Sequence, residues 1–185
     1  MRDVIRRAGP FTLQLRRDRF SALVYSILGQ QISGKAASAI RARLVNRLKP
    51  QRISATSLAS LSPEELRAVG VSLPKARYLL DLADRVAGGH LRLDRMGRLT
   101  DEGVIEALTE VKGIGVWTAQ MFLIFSLGRL DVFPHDDLGV RVAIRRLYGL
   151  EELPDKETGH KIAAAWRPYA SVASWYCWRS LEFKD

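Results

Sequence analysis

The stretch of the chain richest in chemical content is Leu108-Thr109-Glu110-Val111-Lys112-Gly113-Ile114-Gly115-Val116-Trp117-Thr118-Ala119. Two apolar-periodic segments are joined there by a turn reading Lys-Gly-Ile-Gly. Glycines accept positive φ and let another backbone come close. The helix after the turn would present its first N–H groups and its positive dipole end outward, a phosphate site that requires no charged side chain. Gripping a polynucleotide without regard to sequence needs such a device. A bare Gly-x-Gly between helices is more often an ordinary corner, so the surrounding residues must decide. Downstream, Asp136 and Asp137 place adjacent carboxylates ahead of another apolar-periodic run, and either could cap that helix. His135 is a lone loop histidine and reads as rim or structure.

Cysteine and charge narrow the classes. The one cysteine, Cys177, cannot form an internal disulfide and reads as a small buried apolar side chain. No Cys/His cluster suits zinc, and an iron–sulfur cluster held by four thiolates is excluded. The net charge of +9 and pI of 10.1 attract polyanions, nucleic acid first. Charge alone leaves that even with an acidic protein partner or plain solubility. Hydrophobic content of 47% is ordinary for a folded domain. No apolar run reaches membrane-spanning length, and Met1-Arg2-Asp3-Val4-Ile5-Arg6-Arg7 lacks a signal-peptide core. The expectation is a cytoplasmic, nucleoid-associated protein with no membrane partner.

The elements that must position these groups are helices. Phe20, Leu23, Val24, Ile27 and Leu28 share one face, and Ala36, Ala39, Ile40, Arg43 and Leu44 predict a second helix ending at Leu48. Ser62-Pro63-Glu64-Glu65 reads as a capping box with proline at the first helical position. A helix over Leu73–Ala87 turns Leu79, Leu80, Ala83 and Val86 inward and ends at Gly88-Gly89. Thr100-Asp101-Glu102 starts a helix to about Val111; the next runs from near Gly115 to about Leu127 and ends at Gly128. Val140, Ala143, Ile144 and Leu147 mark another, closed by Gly149. Helices over about Asp155–Trp166 and Tyr169–Leu181 follow, divided by Pro168. Phe11-Thr12-Leu13-Gln14-Leu15 alternates but is too short for a sheet. The chain therefore reads as all-α, with roughly nine or ten short helices.

The hairpin resembles the helix-hairpin-helix motif of the base-excision DNA glycosylases, and the match continues through Leu127-Gly128-Arg129-Leu130-Asp131-Val132-Phe133-Pro134-His135-Asp136-Asp137-Leu138-Gly139-Val140. With Gly29-Gln30-Gln31-Ile32-Ser33, Gly70-Val71-Ser72-Leu73-Pro74-Lys75-Ala76, Trp166-Arg167-Pro168-Tyr169 and Trp175-Tyr176-Cys177-Trp178, the ordered set is similar to the 3-methyladenine DNA glycosylase II branch and covers the chain from Phe20 to Trp178. The resemblance implies one glycosylase domain over 1–185, made of two helical lobes: central helices at about 35–133, including the hairpin at 100–127, and a terminal lobe of about 1–34 plus 134–185. DNA and a flipped base would lie between them. The N-terminal β domain of some branch members is expected to be absent.

The resemblance also assigns roles. Cleaving an N-glycosidic bond builds positive charge on the sugar, and a fixed carboxylate stabilises it. That carboxylate is Asp137, with Asp136 as its support and helix N-cap. Bifunctional relatives carry a Schiff-base lysine two residues after the second hairpin glycine. Trp117 stands there, so lyase activity is not expected. Trp117, Met121, Trp178 and Leu138 would line the base pocket, where aromatic faces suit a cationic alkylated base. Trp166 and Trp175 read as core. Gln31 takes the wedge position, with Ile32 as helper, filling the gap left by flipping. A branch with an apolar wedge serves for comparison, and the glutamine departs from it. Lys112, Gly113, Gly115, Val116, Trp117 and Thr118 would meet phosphate, and Lys75 would reach it from the other lobe or lie on a solvated charged face. The backbone carbonyls of Thr109, Val111 and Ile114 would bind a monovalent Na+ or K+; catalysis requires no cofactor.

The function implied is hydrolytic excision of alkylated bases, of 3-methyladenine or 7-methylguanine type, from double-stranded DNA by a monomer, leaving an abasic site. The alternatives are a non-catalytic DNA-binding hairpin protein, a glycosylase for deaminated or oxidised bases, and a helical adaptor whose charge is incidental. Salt-dependent DNA binding separates the last from the rest.

Overall fold

The computed structural model describes residues 1–183, and among them all regular structure is helical. The helices are α1 (Arg2–Ala8), α2 (Arg19–Gly29), α3 (Gly34–Leu48), α4 (Ala55–Ala59), α5 (Pro63–Ala68), α6 (Leu73–Ala87), α7 (Asp101–Thr109), α8 (Val116–Phe122), α9 (Leu138–Tyr148), α10 (Lys156–Ala164) and α11 (Ala170–Ser180). A 3-10 turn at Met96–Arg98 precedes α7, and α8 runs on into a π-helical turn, Leu123–Leu127.

Helix starts follow local side-chain chemistry. Ser62 and Glu65 close the expected capping box, with the Ser62 amide donating to Glu65 Oε2 at 2.8 Å. Asp18, Ser33 and Thr100 accept from the first-turn amides of α2, α3 and α7. Gly149 ends α9 in the left-handed region. Two short helices, α1 and α4, exceed the expectation, and α7 stops at Thr109 rather than Val111.

The chain forms two units. The first, Arg16–Phe122, holds α2 to α8. Leu23, Ile27, Leu28, Leu44, Leu58, Leu66, Leu79, Leu82 and Leu108 are fully buried, each contributing about 1.5–3 kcal/mol. In α6 the inward set is Ala76, Leu79, Leu82 and Ala83, with Leu80 and Val86 only half-buried. Helix α2 packs on α3, α6 and α8, so it belongs with the central helices rather than with a terminal lobe beginning at residue 1 and ending at 34.

The second unit joins Met1–Leu15 to the chain from Leu123 onward. Its core gathers Val140, Ala143, Ile144, Ala163, Trp166, Ala170, Ala173 and Cys177. Cys177 is fully buried, which pushes its thiol up to about 12. Trp175 is half-buried, edge-on to Phe11 at 5.3 Å.

Candidate functional site

The hairpin is built from below. Val111 and Ile114 plug the turn, at 1% and 4% exposure, and the Val111 carbonyl accepts from the Ile114 amide at 3.0 Å. Gly113 has φ +82, and a Cβ there would enter the ring of Tyr78 on α6. The Lys112 amide donates to Asp81 Oδ2 at 2.9 Å, and Arg85 bridges Asp81 and Glu110. The turn is thus riveted to α6. Outward it shows Lys112, Gly113, Gly115, Val116 and Trp117, while Thr118 is buried. A Cβ at Gly115 would meet nothing within 4 Å, so another backbone can approach there. The first-turn N–H groups of a helix have no partner within it, and in α8 the Ala119 amide bonds back to Gly115 O at 3.1 Å. Trp117 is 39% exposed and Met121 half-buried.

The expected wedge lies in the same unit, between α2 and α3. Gln31 is exposed with φ +56, the one non-glycine residue in the left-handed region among those described, a conformation that costs a non-glycine about 1–3 kcal/mol. Ile32 is 38% exposed beside it. Lys75, expected to reach phosphate or to lie on a solvated face, is instead engaged within its own unit. Its ammonium donates to the carbonyls of Leu28 at 2.9 Å and Gln30 at 2.6 Å, and burial lowers its pKa. These carbonyls close α2, where a cation complements the negative dipole end. Gln30, which the sequence did not single out, donates its side-chain amide to the Gly113 carbonyl at 2.8 Å.

The carboxylate loop belongs to the other unit. Ser171 on α11 fastens it: the Val132 amide donates to Ser171 Oγ at 2.9 Å, and the Ser171 amide donates to Leu130 O at 2.9 Å. Asp131 accepts from Arg167 Nε and from the Ala170 amide. The chain then turns tightly, with the Asp137 amide donating to Pro134 O at 2.9 Å. That turn points Asp136 outward and Asp137 inward, at 9% exposure. Asp137, not Asp136, is the N-cap of α9: Oδ1 accepts from the Val140 amide at 2.8 Å. Asp136 instead pairs with His135 Nε2 at 3.2 Å.

Trp178 reaches the same oxygen. Its indole N–H donates to Asp137 Oδ1 at 2.8 Å, and its ring lies 5.5 Å from Phe125. Both donors fall on Oδ1, so these two bonds orient the carboxylate through that oxygen. Gly139 makes the contact possible, since a Cβ there would stand 3.0 Å from Trp178 Cδ1 and 3.1 Å from Asp137 Oδ1. Leu138, the first residue of α9, is 63% exposed. His135 is half-buried, with its ring 5.3 Å from His160. Burial lowers its pKa below the ordinary 6.5, Asp136 opposes that, and Lys156 and His160 reinforce it.

Among the described residues no cluster of His, Cys, Asp or Glu could hold a metal ion, and no helix is long and apolar enough to cross a membrane. The structure brings Asp137 and Trp178 together, and separately ties the loop that holds Gln31 and Ile32 to the hairpin through Gln30 and Gly113. Three contributors were missed: Gln30, Gly139 and Ser171.

The chain is similar to several known proteins. DNA-3-methyladenine glycosylase 1 of Schizosaccharomyces pombe is 34% identical over 92% of this chain and 75% of its own length. The Bacillus subtilis relative YfjP is 32% identical over 88% of this chain, which spans 59% of that relative's length. Among solved structures, an S. pombe 3-methyladenine DNA glycosylase in complex with abasic DNA superposes with a TM-score of 0.86 at 31% identity, covering 98% of this chain and 91% of that one. A DNA-3-methyladenine glycosidase from Bacillus halodurans gives 0.88 at 38% identity, covering 97% and 83%. Residues 24–168 match the HhH-GPD superfamily of base excision DNA repair proteins, and the chain belongs to that family.

Proposed function

We propose that the chain is a monofunctional DNA N-glycosylase that turns an alkylated base out of duplex DNA and hydrolyses its bond to deoxyribose. The observation that carries the reading is Asp137, a buried carboxylate held through one oxygen by the Val140 amide and the Trp178 indole. As the C1′–N bond breaks, its electron pair leaves with the base, so a cationic lesion departs neutral. Positive charge grows on the sugar, where a preorganised carboxylate stabilises it. Water then adds to C1′ and gives up a proton, leaving the hydroxyl of an abasic site.

The remaining residues supply binding. The exposed hairpin backbone from Lys112 to Trp117 takes a phosphate without reading sequence. The carbonyl of Thr109 closes α7 and those of Val111 and Ile114 belong to the turn after it; such hard oxygen donors suit a monovalent cation, which would lend positive charge toward phosphate. Gln31 and Ile32 are exposed and would serve as the wedge. Trp117 and Trp178 would each offer an electron-rich face to a cationic base, and Met121 and Leu138 would add apolar surface. With tryptophan at 117 there is no amine to form a Schiff base, so the strand stays intact. The reading puts the protein at chromosomal DNA, as a nucleoid-associated protein of the cytoplasm. The names of the relatives support alkylated purines as substrates.

The test is incubation with methylated duplex DNA, scoring free bases by chromatography and strand breaks before and after alkali. Release of 3-methyladenine or 7-methylguanine with breaks only after alkali is expected. Breaks before alkali, or binding without release, would contradict the reading.

A further inference from the structure

The wedge loop and the hairpin turn are distant in sequence, yet one helix face holds both. On α6, Lys75, Tyr78 and Asp81 recur every three residues and so share a face. Lys75 grips the carbonyls that close α2, Tyr78 fills the space beneath Gly113, and Asp81 takes the Lys112 amide. The span from Lys75 to Asp81 is six residues of helix, about 9 Å.

Gln30 closes the frame. Its amide donates to Ile27 O at 3.3 Å, its carbonyl accepts from Lys75, and its side chain donates to Gly113 O at 2.8 Å. It is half-buried and directly precedes Gln31, whose φ of +56 requires its neighbours to be held. The Gly113 carbonyl it engages belongs to the turn whose next residues form the exposed hairpin edge.

We infer that Gln30 is a positioning residue that registers the inserting loop against the phosphate-binding hairpin, with the Lys75–Tyr78–Asp81 face of α6 as the ruler. The inference rests on the DNA-binding reading of the hairpin and wedge, and it needs no chemistry from Asp137. A phosphate held at the hairpin then fixes where along the duplex Gln31 enters. Without the Gln30 bond both parts remain, but their spacing is no longer set, so contact with the backbone survives while productive insertion drops.

The experiment uses the full chain with duplex DNA carrying a tetrahydrofuran abasic site beside 2-aminopurine, whose fluorescence rises on unstacking. Wild type is compared with Gln30→Ala and with Gln30→Met, which keeps length and removes the donor. Thermal unfolding and affinity for undamaged duplex are recorded alongside. Both variants are expected to fold, to bind undamaged duplex within about twofold of wild type, and to lose most of the fluorescence rise at saturation. Gln30→Glu, which likewise cannot donate, is expected to follow them. A Gln30→Met protein with the full rise would overturn the inference, as would parallel loss of affinity and fluorescence, which marks a direct DNA contact. A wild type giving no rise would also overturn it. Absence of base release from methylated DNA with the fluorescence pattern intact would instead strike only the glycosylase reading.

Discussion

The indole N–H of Trp178 donates to Oδ1 of Asp137 at 2.8 Å, joining the last turns of α11 to the first residue of the α9 cap. One oxygen of this carboxylate therefore serves both the helix cap and the indole. A net hydrogen bond to a charged group is worth about 1.5–3 kcal/mol, so both donors hold the carboxylate in one orientation.

Trp178→Phe keeps an aromatic wall and removes the donor. The turnover number for base release is expected to fall about tenfold, the rate equivalent of roughly 1.4 kcal/mol, with a smaller change in KM. Steady-state kinetics on a single-lesion duplex check this. An unchanged kcat would mean that the indole serves only as a wall.

Gly139→Ala puts helix propensity against the site. Alanine is favoured over glycine within a helix by up to about 1 kcal/mol, less at this second residue of α9, and the added Cβ would press on Trp178 and Asp137 at 3.0 and 3.1 Å. Lower activity with no gain in Tm is expected. A more stable, fully active variant would show that Trp178 can yield without consequence.

The two hairpin glycines separate fold from binding. Gly113→Ala meets both a positive φ and the Tyr78 ring, so it is expected to cost about 1–3 kcal/mol of stability. Gly115→Ala meets open space, so its Tm is expected to shift little while affinity for any duplex drops and salt dependence weakens. Urea unfolding and binding titrations at two salt concentrations read both. Unaltered affinity in the Gly115 variant would remove this backbone from the phosphate contact.

His135 makes stability depend on pH. Burial depresses its pKa in the folded state below 6.5, so the unfolded chain binds more protons and stability rises with pH. The contribution is present above about pH 6.5 and is lost as pH falls below that value through the lower folded-state pKa. His135→Phe is expected to flatten the dependence of the urea midpoint between pH 7.5 and 5.5. Equal slopes in both proteins would place the titration elsewhere.

Helices α2, α3 and α5 to α11 were legible from apolar periodicity or from the capping and breaking residues at their ends. Helix α1 buries only Val4, and α4 spans only Ala55–Ala59, so neither carries a periodic face to read. Periodicity also does not separate the π turn at Leu123–Leu127 from α-helix. Asp137 and the hairpin glycines could be found because a local pattern marks them. The placement of the cap failed between neighbours, since only the tight turn at Pro134 decides which carboxylate faces inward. Lys75 showed only its charge in sequence. Its partners, like those of Gln30 and Gly139, come from elements far along the chain.

Asp137→Asn tests the central claim most directly. Asparagine caps a helix as well as aspartate does, and its oxygen can still accept from Val140 and Trp178, so the fold is retained while the charge is removed. Base release from methylated duplex DNA, measured beside wild type with affinity for the same duplex, is expected to fall by a factor of a hundred or more, on the order of 3 kcal/mol, with binding kept. Wild-type release by the asparagine variant would contradict the assignment of Asp137, and so would loss of folding and binding together.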